Sequence, residues 1–188
     1  VYKRQGIAMS RAMLSAIMLI VTIGSGCSSP PPLKTVATVD LPRFMGDWYV
    51  LASIPTFLEV DAYNPVESYR LDVDGSIATT FTFNAGGLDG EKKTYRPRGF
   101  VRDRQSNAVW GMQFIWPIKA DYRIVYLDEQ YQYTIIGRNQ RDYVWIMARD
   151  PVVDEPTYAD LMGRVESFGY ALEQVVRASH KVDQKDKL

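Results

Sequence analysis

Cysteine and histidine are nearly absent from this sequence of 188 residues, which carries one of each, Cys27 and His180. A lone cysteine excludes an intramolecular disulfide and any multi-cysteine metal site. A lone histidine near the C-terminus removes the central residue of Ser-His-Asp catalysis, His-rich zinc chemistry and haem ligation. Net charge is missing too: 22 Lys and Arg balance 22 Asp and Glu, so no field draws the chain to nucleic acid. No G-x-S-x-G, H-E-x-x-H or P-loop pattern occurs, and the sequence assigns no catalytic residue, metal ligand or cofactor. The run Asp72-Val73-Asp74-Gly75-Ser76 echoes a calcium loop but lacks its downstream ligands, so it reads as a hairpin turn. The longest apolar run, 13–23, is too short to cross a hydrocarbon core of ~30 Å as a helix.

That run has a different reading. Residues 1–5 match nothing that follows and resemble a translated library adaptor, which places the natural start at Met9 or Met13. Arg11 then supplies a positive n-region, 13–23 an apolar h-region and Gly24-Ser25-Gly26-Cys27 small residues at a cleavage point. The segment 1–26 is thus read as adaptor plus signal peptide. It resembles a bacterial lipoprotein signal, with Gly24 where leucine is usual, and the resemblance implies lipidation (palmitate) at Cys27. Ser28, rather than aspartate, after the cysteine implies the periplasmic face of the bacterial outer membrane. Residues 27–34, rich in Ser and Pro, read as a tether. That leaves a folded domain over 35–179 and a polar tail over 180–188.

What the domain has in quantity is aromatic surface, 12% of the chain with 12 tyrosines, which needs a core or a cavity to sit in. Alternation of β-branched and aromatic residues with polar ones predicts strands over 47–54, 67–73, 76–84, 98–104, 108–115, 120–127, 132–138 and 143–149. Asp74-Gly75, Ser106-Asn107 and Asn139-Gln140 punctuate them as turns. Pro97 and Pro117 fall at strand edges, where a missing N–H does least harm. Eight strands with no helix between them predict an all-β fold, an antiparallel up-and-down barrel. Alternation aims Trp110, Met112 and Phe114 inward, and likewise Ile77, Thr79, Phe81 and Phe83; Tyr122, Ile124 and Tyr126; and Tyr143, Trp145 and Met147. These rows read either as packed core or as the wall of a pocket for one small ligand.

After the last strand, Pro156 beside Asp154-Glu155 marks a helix start. Tyr158, Leu161, Met162, Val165 and Phe168 recur at helical spacing, and Leu172, Val175 and Val176 extend the stripe beyond a break at Gly169-Tyr170. One C-terminal α-helix packed outside the barrel follows, its mixed charge speaking against a membrane-surface helix.

Three motifs carry a resemblance. Gly46-Asp47-Trp48-Tyr49 opens the first strand; Asp128 and Tyr131 stand at a strand-to-strand turn; and 141–151 ends the last strand with Tyr143, Trp145, Arg149 and Pro151. Together, in order and spacing, they resemble the signatures of the lipocalin family, in particular its bacterial outer-membrane lipoproteins related to apolipoprotein D. The resemblance implies that Gly46, Trp48, Asp128, Tyr131 and Arg149 are structural, with Arg149 stacked over Trp48 to close the barrel base.

It also implies a ligand: a lysophospholipid or fatty acid, held for membrane maintenance, storage or transport under stress by a protein that is not an enzyme. The cavity candidates are Phe81, Phe83, Trp110, Met112, Phe114, Tyr122, Ile124, Tyr126, Trp145 and Met147, with Tyr63, Tyr122 or Arg98 near a head group. The loop 54–64, with Phe57, Leu58 and Val60, reads as a lid, a membrane-facing lip or the contact of a homodimer. Two further readings stand beside this one, an enzyme of the same fold acting on a lipid through Tyr or carboxylate groups, and a structural lipoprotein with a filled barrel.

Overall fold

The computed structural model describes residues 31–181. The adaptor, the signal peptide, lipidation at Cys27, the first half of the proposed tether and the end of the tail lie outside the described residues. A short helix α1 (Leu41–Phe44) leads into strands β1 (Gly46–Ser53), β2 (Ala62–Leu71), β3 (Ser76–Ala85), β4 (Glu91–Tyr95), β5 (Arg98–Val101), β6 (Val109–Ile115), β7 (Ile118–Leu127), β8 (Tyr133–Gly137) and β9 (Val144–Ala148). Helix α2 (Glu155–Ser167) and a two-residue strand β10 (Val176–Arg177) follow within the described residues.

All ladders are antiparallel, and β9 returns to β1, pairing Tyr49 with Ala148 and Ser53 with Trp145. Strands β4 and β5 pair with the two halves of β3, so they are one strand interrupted at Arg96-Pro97, where proline offers no N–H to the ladder. Counted that way, eight strands close on themselves and leave no long edge. The predicted strands match within a few residues except for β4. Its sequence, Glu91-Lys92-Lys93-Thr94-Tyr95, is largely exposed and charged, so it carries no alternation to read.

The connections sort into two ends. Loop 54–61, turn 86–90, turn 116–117 and hairpin 138–143 share the end we call the mouth; α1, turn 72–75, loop 102–108 and turn 128–132 share the base. Before α1 the chain runs down the barrel wall from mouth to base: the Leu33 N–H donates to Asn139 Oδ1 at 2.9 Å, the Val36 N–H to the Ile124 carbonyl and the Val39 N–H to the Ser106 carbonyl. Leu33, which the sequence places in the tether, is buried.

Helix α2 lies outside the barrel as predicted. Asp154 caps it by accepting the Thr157 N–H at 2.8 Å, and Gly169, at φ +86°, lets the chain leave the last turn in the left-handed region. Leu161 and Val165 bury against Leu51, Ala52, Ile135, Val144 and Ile146 on the outer face. The apolar stripe does not continue as a helix. Leu172 starts a single 3₁₀ turn, and Val176 is exposed in β10, pairing with Ser53 of β1. From there the tail is ordered as far as Lys181: the Ala178 N–H reaches the Leu51 carbonyl, the Asn64 N–H donates to the Ser179 carbonyl and the His180 Nε2–H to the Val50 carbonyl. Residues 176–181 thus fill the wedge where β2 splays from β1, a long-range pairing that a two-residue strand does not announce.

Candidate functional site

The base is sealed by the family motifs. The Arg149 guanidinium lies 3.8 Å from the Trp48 ring centre and donates to the carbonyls of Asp47, Arg43, Phe44, Met45 and Tyr131 at 2.6–3.3 Å. One planar fork thereby serves the open carbonyls of α1 and stacks on the indole, a geometry lysine cannot reproduce. Gly46, at φ +93°, turns the chain from α1 into β1 beneath it. Asp128 holds its turn by accepting the N–H groups of Gln130, Gln132 and Tyr133 at 2.6–3.1 Å. Tyr131 carries the Arg43 guanidinium on its ring at 4.0 Å, and its hydroxyl accepts the Asp40 N–H.

Above Trp48 the lower barrel is packed solid with rings. Trp110 stacks on Tyr122 at 5.1 Å and meets Phe44 and Tyr69 edge-on at 5.5 and 5.8 Å. The indole N–H groups of Trp48 and Trp110 are satisfied by the carbonyls of Phe44 and Asn107, so this half is finished core.

A polar chain begins at the top of that core. The hydroxyls of Tyr122 and Tyr69 share a hydrogen bond of 2.6 Å, and Tyr69 donates to the Glu67 carboxyl. Glu67 faces Trp48 of β1 and Phe81 of β3 across the ladders, which aims it into the lumen. Desolvation first, and the Glu59 charge second, push its pKa up to about 8, so it is a neutral acid at pH 7. Part of its surface stays accessible despite that depth, although it is not among the residues that line the void above it.

The void lies on the mouth side. A cavity of about 290 Å³ is lined by Val50, Ser53, Glu59, Tyr63 and Phe81 together with the 176–179 strand. Glu59 reaches into it from loop 54–61: one carboxylate oxygen accepts the Trp145 Nε1–H at 2.8 Å, the other the Thr56 N–H at 2.7 Å. Loop 54–61 is therefore latched to the lumen face of β9. Among the described residues no group of His, Cys, Asp and Glu has metal-ligand geometry.

Of the predicted cavity residues, Phe81 lines the void. Phe83 is buried, while Trp110, Met112, Tyr122, Ile124 and Met147 join Trp48 in the core. Trp145 borders the lumen, half-buried. Two placements correct the sequence. Phe114 is 49% exposed near the tip of the β6–β7 hairpin, where β6 has run past the barrel wall. Tyr126 faces outward under α2, 4.2 Å from the Arg164 guanidinium, because the register slips between Ile124 and Tyr126 and reverses the alternation. Tyr143 likewise packs with the α2-side cluster rather than in the lumen. Arg98 is at the base, paired with Asp72 at 3.0 Å, so it meets no head group at the mouth. Glu59, Glu67 and the 176–179 strand were not anticipated. Of these only Glu67 had a signal, since it precedes inward-facing Tyr69 by two residues.

Closed barrel, sealed base, stacked Arg149–Trp48 pair and outer helix define a lipocalin-type architecture, and comparison with known proteins agrees. The family model described as a lipocalin-like domain matches residues 39–180; the chain belongs to the lipocalin family. It is 28% identical to temperature-induced lipocalin-1 of Arabidopsis thaliana over 163 residues, covering 82% of this chain and 84% of that one. It is 26% identical to the outer membrane lipoprotein Blc of Citrobacter freundii, covering 88% and 92%. Among solved structures, insecticyanin of the tobacco hornworm Manduca sexta superposes with a TM-score of 0.63 at 14% identity, over 83% of this chain and 87% of that one. At that identity the likeness shows the fold alone.

Proposed function

We propose that this protein is a lipid-binding lipoprotein that holds one acyl chain in the mouth-side cavity, anchored through Cys27 to the periplasmic face of a bacterial outer membrane. The observation that carries the reading is the cavity itself, a void between a finished aromatic core below and a latched loop above. At about 290 Å³ it stands at the lower end of the ~300–1,000 Å³ usual for ligand pockets, which suits a single-chain lipid, a fatty acid or lysophospholipid, and not a diacyl lipid. Val50, Phe81 and Tyr63 supply apolar wall, and Ser53 and Glu59 supply polar groups within it. The Blc relatives are named as outer membrane lipoproteins, which supports the anchor and the compartment.

The cavity glutamate is not free to act in turnover, because Glu59 is occupied by two donors. The test is displacement of a fluorescent fatty acid from the wild type and from Ser53→Trp, which places an indole in the void. Lysophospholipid or fatty acid displaces the probe from the wild type, and the variant takes up at least tenfold less. Equal uptake by the two contradicts the assignment of the cavity.

A further inference from the structure

Every exposed aromatic ring among the described residues lies at the mouth: Phe57 on loop 54–61, and Phe114 and Trp116 on the β6–β7 hairpin. Phe57 and Trp116 are each 83% exposed, and the hairpin adds Ile115 at 72% and Ile118 at 69%. The base has scattered aliphatic residues, Leu71 and Val73, with Val152 on the flank beside Leu51, and no exposed ring among the described residues. Contiguous apolar side chains at a loop tip are costly to leave in water and mark a surface that another phase or molecule covers.

The path of the chain says which. Leu33 is fixed at the mouth, its N–H on Asn139 of hairpin 138–143 and its side chain against Gly137. Cys27 precedes it by six residues, a reach of at most ~20 Å. Gly137 pairs with Arg123 of β7, and β7 runs five residues further outward to Ile118, a projection of roughly 17 Å. An anchor at Cys27 and the tip at Trp116 therefore reach the same plane.

We propose that the barrel docks mouth-down on the leaflet that holds its anchor, seating Trp116 with Ile115 and Ile118, and Phe57 on the opposite side of the mouth, at the boundary between head groups and acyl chains. Tryptophan favours that boundary because its ring is apolar and its N–H is not. A single-chain lipid then passes from the bilayer past loop 54–61 into the cavity without exposing its chain to water. The proposal rests on the reading of Cys27 as the lipid anchor.

The experiment uses the full lipoprotein in phosphatidylethanolamine–phosphatidylglycerol vesicles whose acyl chains are brominated, comparing the wild type with Trp116→Phe. The remaining tryptophans, Trp48, Trp110 and Trp145, point into the barrel, so the difference between the two chains isolates Trp116. Brominated lipid is expected to quench at least half of that difference. An anchored chain whose Trp116 emission is unquenched by bromine overturns the docking, whether the ring is then open to acrylamide or covered by a second copy of the chain. Flotation of Cys27→Ser separates the two ideas: a variant that floats as well as the wild type, with Trp116 still quenched, contradicts the anchor and upholds the docking. A wild-type chain that does not float at all overturns both.

Discussion

The indole N–H of Trp145 donates to a carboxylate oxygen of Glu59 at 2.8 Å, tying the 54–61 loop to the lumen face of β9, the strand paired with β1. Trp145→Phe keeps a ring and deletes the donor. A hydrogen bond to a charged group is worth ~1.5–3 kcal/mol, so amide exchange in 54–61 should quicken about tenfold or more. Release of a bound lipid should quicken with it, while the melting temperature falls by only a few degrees. Exchange measured by mass spectrometry decides this, and unchanged protection in the loop would remove the latch from the account.

The Arg149–Trp48 stack makes a separate claim about the base. Trp48 is fully buried, so Trp48→Ala should lose ~3–5 kcal/mol through the cavity it leaves. Arg149→Lys keeps the charge but cannot bond five carbonyls and lie flat on the indole, and should also lower the melting temperature. Neither variant should change which lipid is bound. Thermal melts with unaltered midpoints would refute the structural role.

Glu67 gives stability a pH dependence of known sign. Its folded pKa is about 8 against 4.5 for the free group, so between those values the unfolded chain loses a proton that the native chain keeps. Stability therefore falls as pH rises from about 4.5 to 8, by an amount on the order of a few kcal/mol, and is level above that. Glu67→Gln preserves the acceptor for Tyr69 and removes the slope: its melting temperature should exceed that of the wild type at pH 9 and converge with it near pH 4. A difference that stays constant across that range would show that Glu67 is not buried in the lumen.

His180 works in the opposite direction. Burial holds its pKa below 6.5, the Val50 carbonyl only partly opposing this. As pH falls through 6.5 the unfolded chain takes up a proton that the native ring resists, so stability declines toward acid. The 176–181 segment, whose first four residues wall the cavity, should accordingly exchange its amides faster at pH 5 than at pH 7 after correction for intrinsic rates. His180→Gln should abolish that difference.

How far the sequence discloses all this depends on whether an element is defined by its own side chains or by its partners. β3 and β6 are legible because Ile77, Phe81, Trp110 and Met112 alternate with polar residues. The base is legible because Trp48 and Arg149 sit in recognisable motifs. β4 escapes because charged residues, Glu91, Lys92 and Lys93, make up most of it and none is fully buried. Tyr126 is misplaced because a register slip after Ile124 reverses the alternation with no mark in composition. The cavity was legible only in part. Phe81 was expected there, whereas Glu59, Ser53 and the 176–179 strand meet in it through pairings more than a hundred residues apart in sequence, as between Val50 and His180. A glutamate among core rings, finally, is the residue type that pattern reading assigns to the surface.

The central claim is that the void on the mouth side is a lipid site. Native mass spectrometry of the chain from Ser28 onward, produced in a bacterial periplasm, tests it most directly. The account predicts a reproducible adduct that fragments as a lysophospholipid or fatty acid in the wild type and is lost in Ser53→Trp. A bare mass that persists after incubation with both lipids would contradict it, leaving the barrel a filled structural body.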